Sequence, residues 1–233
     1  MARQYLQLKE KGKDVKMAIK LRFKLILLVI VATLGVLIVG SQAWATSYYA
    51  GNYRNPGYGV KADISTPATM PVVSSGIASN YVGNYDSGYW LGVGWCQADG
   101  YTRAPDGTYW PTVPTSYEEA NINAYYFEYQ YTAQPLNYTR SYEVVYTGSS
   151  GVWQGIIAGT RRYSFGPYTT PVLVEALAEL SGSTQPQTRA LFNNVQYKGL
   201  NSYMNFDQNY ERADSPPYAT FNSYYKYTCY NGM

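Results

Sequence analysis

From residue 46 onward the chain alternates short aromatic or β-branched runs with breaks of Gly, Pro, Asn, Asp and Ser. That rhythm predicts an all-β, two-sheet sandwich. The candidate strands are Gly59–Ser65, Gly76–Val82, Gly88–Gln97, Ile122–Thr132, Tyr142–Thr147, Val152–Ala158, Arg161–Phe165, Pro171–Leu180, Arg189–Tyr197 and Ala219–Tyr227. Ala98–Ala120, rich in Gly, Pro, Thr and Asp, reads as a long loop, long enough to suggest a functional lid. A second loop, Ser181–Thr188, comes after Pro171–Leu180. Tyrosine supplies 28 of the 233 residues, all but Tyr5 beyond the first 45. In Ile122–Tyr131 it lays Tyr125, Phe127, Tyr129 and Tyr131 on one face and Tyr126, Glu128 and Gln130 on the other. Tyrosine has a strong strand preference and an amphipathic ring, so aromatic outer faces are ordinary architecture, but such rings also suit stacking on sugar or peptide.

The N-terminus has the order of an export signal. Lys16, Lys20, Arg22 and Lys24 precede the apolar stretch Leu25–Gly40, and Ala43-Trp44-Ala45 supplies a small-x-small cleavage pattern. The stretch is 16 residues, against the roughly 20 of a membrane-spanning helix. Residues 1–45 are thus expected to be a signal peptide, with Met17 an alternative start, and residues 46–233 the β-sandwich domain of a secreted or cell-surface protein. Removing the signal leaves ten basic and thirteen acidic residues. That balance lacks the basic stripe of a nucleic-acid binder and leaves no membrane segment after cleavage.

The chain has no histidine, which excludes Ser-His-Asp and Cys-His catalysis and histidine-ligated zinc. Hydrolytic chemistry would then rest on carboxylates, amides, hydroxyls or lysine. Charged residues are only 14% of the chain, so Glu175 and Glu179 inside the apolar run Pro171–Leu180 need a reason. On a strand both share one face with Leu173 and Leu177, while Val172, Val174, Ala176, Ala178 and Leu180 make the other face wholly apolar. On a helix the two glutamates would share a solvated side, and the local pattern allows that too. Cys96 and Cys229, the only cysteines, are either a disulfide permitted by export or two buried free thiols. Asp99 and Asp106 stand beside glycines, a pattern that turn formation explains as well as calcium does. No cofactor or metal site is expected.

The segment order resembles the glutamic peptidases, both the eqolisins and the neprosin-type prolyl endopeptidases. Val60-Lys-Ala-Asp-Ile-Ser-Thr-Pro67 is similar to the family's first core strand, and Ser79-Asn-Tyr-Val-Gly83 to its Ala-Trp-Val-Gly segment. Leu91-Gly-Val-Gly-Trp95 is similar to the neprosin Ile-Glu-Ala-Gly-Trp and the eqolisin Leu-Gln-Thr-Gly segments, and Ala124-Tyr-Tyr-Phe-Glu-Tyr129 to the aromatic strand that comes next. Glu175-Ala-Leu-Ala-Glu179 resembles the Glu-x-x-x-Glu of both, and Phe192-Asn-Asn-Val-Gln196 the neprosin Phe-Arg-Asn-Ile-Gln. The resemblance implies a concanavalin-like jelly roll with a concave groove, and a strand at Pro171–Leu180.

By the same resemblance Glu175 is the candidate acid/base. The second catalytic position, Gln or Glu in the family, falls on Gly92, which has no side chain to offer. Losing one oxyanion donor typically costs about 10²–10³ in rate. The expected function is therefore a catalytically impaired scaffold acting in binding or at the cell surface. The alternatives are an acid-acting glutamic endopeptidase using Glu175, helped by Glu128, Gln130 or a tyrosine, and a glycan-binding sandwich. The ligand expected in the groove is a peptide or glycan, bound by Glu179, Tyr89, Trp95, Tyr126, Glu128 and Gln130.

Overall fold

The computed structural model describes residues 47–230 apart from 71–72, 74, 87–88, 105–106, 123–124, 149–150, 166–171, 182–188, 207–210, 214–217 and 224. The expected signal peptide, Asp106 and most of the loop expected at Ser181–Thr188 lie outside them. Strands β1 (Ser47–Gly57), β3 (Ile77–Asp86), β4 (Tyr89–Ala98), β5 (Thr115–Ile122), β6 (Tyr125–Ala133), β10 (Val172–Ser181) and β13 (Glu211–Ala213) form a seven-stranded sheet, ordered β13-β1-β10-β3-β4-β5-β6. The second sheet holds β2 (Gly59–Ser65), β7 (Thr139–Thr147), β8 (Val152–Ile157), β9 (Thr160–Phe165), β11 (Ala190–Lys198), β14 (Tyr218–Ser223) and β15 (Lys226–Tyr230), with β12 (Tyr203–Asn205) paired to β11. All pairings are antiparallel. The molecule is an all-β jelly-roll sandwich.

The core arises from alternation. Val172, Val174, Ala176 and Ala178 of β10, Val82 of β3, and Leu91, Val93 and Trp95 of β4 pack against Val60, Ala62, Ile64, Tyr142, Val144, Trp153, Ile157 and Phe192 of the other sheet. Each large apolar side chain so buried is worth roughly 1.5–3 kcal/mol over exposure. One carboxylate enters this layer. Glu118 is 1% exposed and accepts a 2.7 Å hydrogen bond from the Tyr131 hydroxyl. Its carboxyl occupies the space a side chain on Gly155 would need, so any larger residue at 155 must displace Glu118.

Three expectations are corrected. The loop read at Ala98–Ala120 stops at residue 114, because Thr115–Ile122 is a full strand of the sheet. Ala219–Tyr227 is not one strand but the hairpin of β14 and β15. Strand β1, which pairs with β10, was not expected at all. The cysteines are free: Cys229 lies between the sheets, while Cys96 belongs to a separate cluster on the far side of the seven-stranded sheet. A sheet stands between the two thiols, so they do not bridge.

Candidate functional site

Pro171–Leu180 is a strand from Val172 onward, and its parity decides where its carboxyl groups point. Its even residues fill the core, so Leu173, Glu175, Leu177 and Glu179 must emerge on the face turned away from the second sheet. The register then lines up one row across that outer face: Tyr53 of β1, Glu175 of β10, Gly83 of β3, Gly92 of β4, Glu119 of β5 and Glu128 of β6. Neighbouring rows add Tyr81, Leu177 and Tyr117 on one side and Trp90, Asn121 and Tyr126 on the other. Tyr81, Cys96, Ala98, Tyr117 and Leu177 are buried here with Ala104 and Trp110, a second core on a face no sheet covers.

Two carboxyl groups in the row each have a tyrosine. Glu175 is 7% exposed and accepts a 3.1 Å hydrogen bond from the Tyr81 hydroxyl. Burial, then the charges of Glu175 and Glu179, push the Tyr81 pKa up, so its proton stays available to Glu175. Glu119 keeps some solvent contact as a residue, yet its carboxyl group is enclosed. Enclosure raises its pKa well above the carboxylate range. The Glu179 and Glu128 charges raise it further, against a hydrogen bond to Tyr126 that lowers it. A carboxyl whose pKa is raised by enclosure is suited to give a proton as a general acid. Glu175 and Glu119 stand three strand spacings apart, roughly 14 Å at the backbone, so neither touches the other directly.

The ground between them is two glycines under two rings. A Cβ on Gly92 would stand 2.7 Å from Cζ2 and 3.0 Å from Cη2 of Trp90, and one on Gly83 3.2 Å from Cε2 of Tyr81. The rings meet edge to face, centroids 5.7 Å apart. Gly92 is thus more than a missing side chain: the Trp90 indole fills the volume that a glutamine or glutamate would take.

Residues 99–104 and 107–114 fold over one end of this face, with Ala104 and Trp110 packed into its buried cluster. The Asp99 carboxylate accepts hydrogen bonds from the backbone N–H groups of Gly76 (2.8 Å), Tyr101 (2.7 Å) and Thr102 (2.7 Å), and from the Thr102 hydroxyl (3.1 Å). These bonds hold its pKa below the usual value although burial opposes them. They also make Asp99 a turn-forming residue. Trp110 then packs edge-on to Tyr117, 5.8 Å between centroids. Gln130 ties the loop down by donating to the Tyr109 carbonyl at 2.7 Å and to Glu128 at 2.8 Å.

The remaining expected site residues divide by parity. Glu179, Tyr126, Glu128 and Gln130 join Glu175 on the outer face. Trp95 does not: fully buried between the sheets, it donates its indole N–H to the Ser65 carbonyl at 3.1 Å. Tyr89, an even number of residues from Leu91, also lies on the side facing the second sheet. Glu128 and Gln130 sit on the terminal strand, beyond Glu119, too far to serve Glu175 in place of Gly92. Sequence reasoning missed Glu119, Tyr81 and Trp90. The alternation of Tyr117, Glu119 and Asn121 was the available signal, and the adjacent Glu118 concealed it. Among the described residues no three His, Cys, Asp or Glu side chains gather as metal ligands.

No family model matches the sequence, and no curated protein matches it. Solved structures do resemble the fold. Scytalido-glutamic peptidase, solved with a peptide-based transition-state analog, superposes with a TM-score of 0.52 at 13% identity, covering 78% of this chain and 97% of that one. SCP-B, a member of the eqolisin family of peptidases solved with the tripeptide Ala-Ile-His, gives 0.50 at 14% identity with the same coverage. At such identity the likeness establishes a glutamic-peptidase-like fold.

Proposed function

We propose that this chain is an exported protein that binds peptide on the outer face of its seven-stranded sheet and is impaired as a peptidase. The observation that carries the reading is the Trp90 indole over Gly92. A water-positioning or oxyanion-stabilising group beside Glu175 needs that volume, and an aromatic ring there supplies neither an amide nor a carboxyl. Binding is supported by what the face retains. The half-buried Glu128 and Glu179 bring carboxyl groups that accept N–H donors, and the half-buried Trp90 and Tyr126 offer rings to side chains. The resembling structures were solved with a peptide and a peptide analog, which makes peptide the ligand to try before glycan.

One observation favours a second reading, a slow acid endopeptidase. Glu119 lies in the same row as Glu175 with its pKa raised by enclosure, so it would serve as acid and Glu175 as base across the roughly 14 Å between their strands. A denatured protein incubated with the purified chain at acid pH separates the two. Peptide binding by calorimetry with no cleavage supports the first reading. Cleavage abolished by both Glu175→Gln and Glu119→Gln supports the second, and cleavage indifferent to Glu175→Gln removes both.

A further inference from the structure

Asn137-Tyr138-Thr139 is the one Asn-x-Ser/Thr triplet of the chain, and its middle residue is not proline. An oligosaccharide on such a triplet is bulky and polar, so it needs a surface turn of an exported protein. The fold puts the triplet in that setting. Thr66, just past β2, is buried and holds the turn between β6 and β7 from inside. Its hydroxyl donates to the Pro135 carbonyl at 2.6 Å and accepts from the Tyr138 N–H at 3.0 Å. Its own N–H donates to the Tyr138 carbonyl at 2.8 Å, and the Asn137 N–H donates to the Pro67 carbonyl at 2.9 Å. The backbone is thus tied inward, while Leu136, Asn137, Tyr138 and Thr139 are all exposed.

The fold makes no use of the two polar side chains of the triplet. Asn194 is the contrast. It shares the left-handed φ of 52° with Asn137, but its amide donates to Asp63 at 2.7 Å. Among the described residues the Asn137 amide makes no hydrogen bond, and neither does the Thr139 hydroxyl. A left-handed turn position favours asparagine, which accounts for residue 137 but not for a threonine two places on.

We propose that Asn137 is a glycosylation site, carrying an N-linked oligosaccharide on the exported protein. The step is a substitution in which Asn137 Nδ2 attacks the anomeric carbon of an oligosaccharide carried on a lipid diphosphate. A C–N bond forms, the C–O bond to the diphosphate breaks, and Nδ2 gives up one proton. The lipid diphosphate leaves with the electron pair, so nothing is oxidised or reduced. The Thr139 hydroxyl completes the triplet that the transferase reads. The proposal rests on the export in the reading above and is independent of peptide binding.

Mass spectrometry of the protein isolated from its own source tests it. No lysine or arginine lies between Arg103 and Arg140, so trypsin releases residues 104–140 as one peptide. That peptide should be heavier than its sequence by an oligosaccharide, and fragmentation should place the addition on Asn137 and not on Asn121 or Asn123. An unmodified Asn137 on a chain that begins near Thr46 overturns this proposal and leaves export standing. An unmodified Asn137 on a chain that keeps residues 1–45 overturns both. Secretion from a eukaryotic host then tests the triplet. Wild type and Thr139→Ser should carry the addition, whereas Asn137→Gln and Thr139→Ala should lose it completely. An addition that survives Asn137→Gln, or a wild type secreted without one, counts against the proposal. Should Asn137→Gln fail to be secreted, Thr139→Ala decides: it leaves the turn residue intact, and an addition retained there also counts against it.

Discussion

The two outer faces of this sandwich obey different rules. That of the eight-stranded sheet is what solvent leads one to expect: Lys61, Asp63, Glu143 and Gln196 stand outward and pair locally. Asn194 donates to Asp63 at 2.7 Å, Tyr203 donates to Glu143 at 2.5 Å, and the Lys61 ammonium lies 4.4 Å from the Tyr203 ring centroid. That of the seven-stranded sheet buries Tyr81, Tyr117, Leu177 and Cys96 almost completely beneath a loop, and places carboxyl groups among them. Burying carboxyls costs free energy that an ordinary solvated face never incurs. A fold that needed only stability would have no reason to make the two faces unlike, and that difference is what supports the proposed binding face.

Stability measurements can break that comparison. Leu177→Ala removes a fully buried side chain from the outer cluster and should cost about 2–5 kcal/mol in denaturant unfolding, as a core position does. A loss below about 1 kcal/mol would make this cluster an ordinary surface. Gly92→Gln drives a side chain into the Trp90 indole and should cost about 1–3 kcal/mol. Adding Trp90→Ala should return part of that loss, and only the double variant should gain cleavage at acid pH. A stable, active single variant would show that Trp90 is no obstacle. Asp99→Ala strips the anchor of residues 99–114 and should cost about 1–2 kcal/mol, with faster proteolysis confined to that loop. Lys61→Ala on the opposite face should stay within about 0.5 kcal/mol.

The pH dependence sharpens the same contrast. The folded pKa of Glu119 is raised, so the native state binds more protons than the unfolded state between the ordinary carboxylate pKa and the raised one. Stability is therefore greatest below the ordinary value and falls as pH rises through the raised one. Glu119→Gln should flatten that fall in a series of melting temperatures. Asp99 acts in the opposite sense. Its folded pKa is lowered, so its contribution is present above the unfolded value and disappears as pH drops through the folded one.

Much of the architecture was legible because strand periodicity is local. The even–odd division of Val172–Leu180 assigned Glu175 and Glu179 to one face without reference to any partner strand. The same parity placed Tyr126, Glu128 and Gln130 together. It failed where two faces make opposite demands on adjacent residues. Glu118 and Glu119 read as a polar loop, yet one is buried against Tyr131 between the sheets and the other beside Tyr126 outside them. Trp95 looked like a groove residue by its chemistry, but its parity with Leu91 and Val93 puts it in the core. β1 escaped notice because Gly51, Asn52, Asn55 and Pro56 interrupt it, and only pairing with β10 makes it a strand.

The sequence alone determined that this chain is a sandwich of short strands, that histidine chemistry is excluded, and that Glu175 and Glu179 share a face. Those conclusions need only residue types and a period of two. Only the tertiary structure decided which side chains stand beside Glu175, that Glu119 lies in its row, and that Trp90 occupies the space over Gly92. Those are matters of register between strands far apart in the chain, set by the packing of a whole sheet and carried by no single segment.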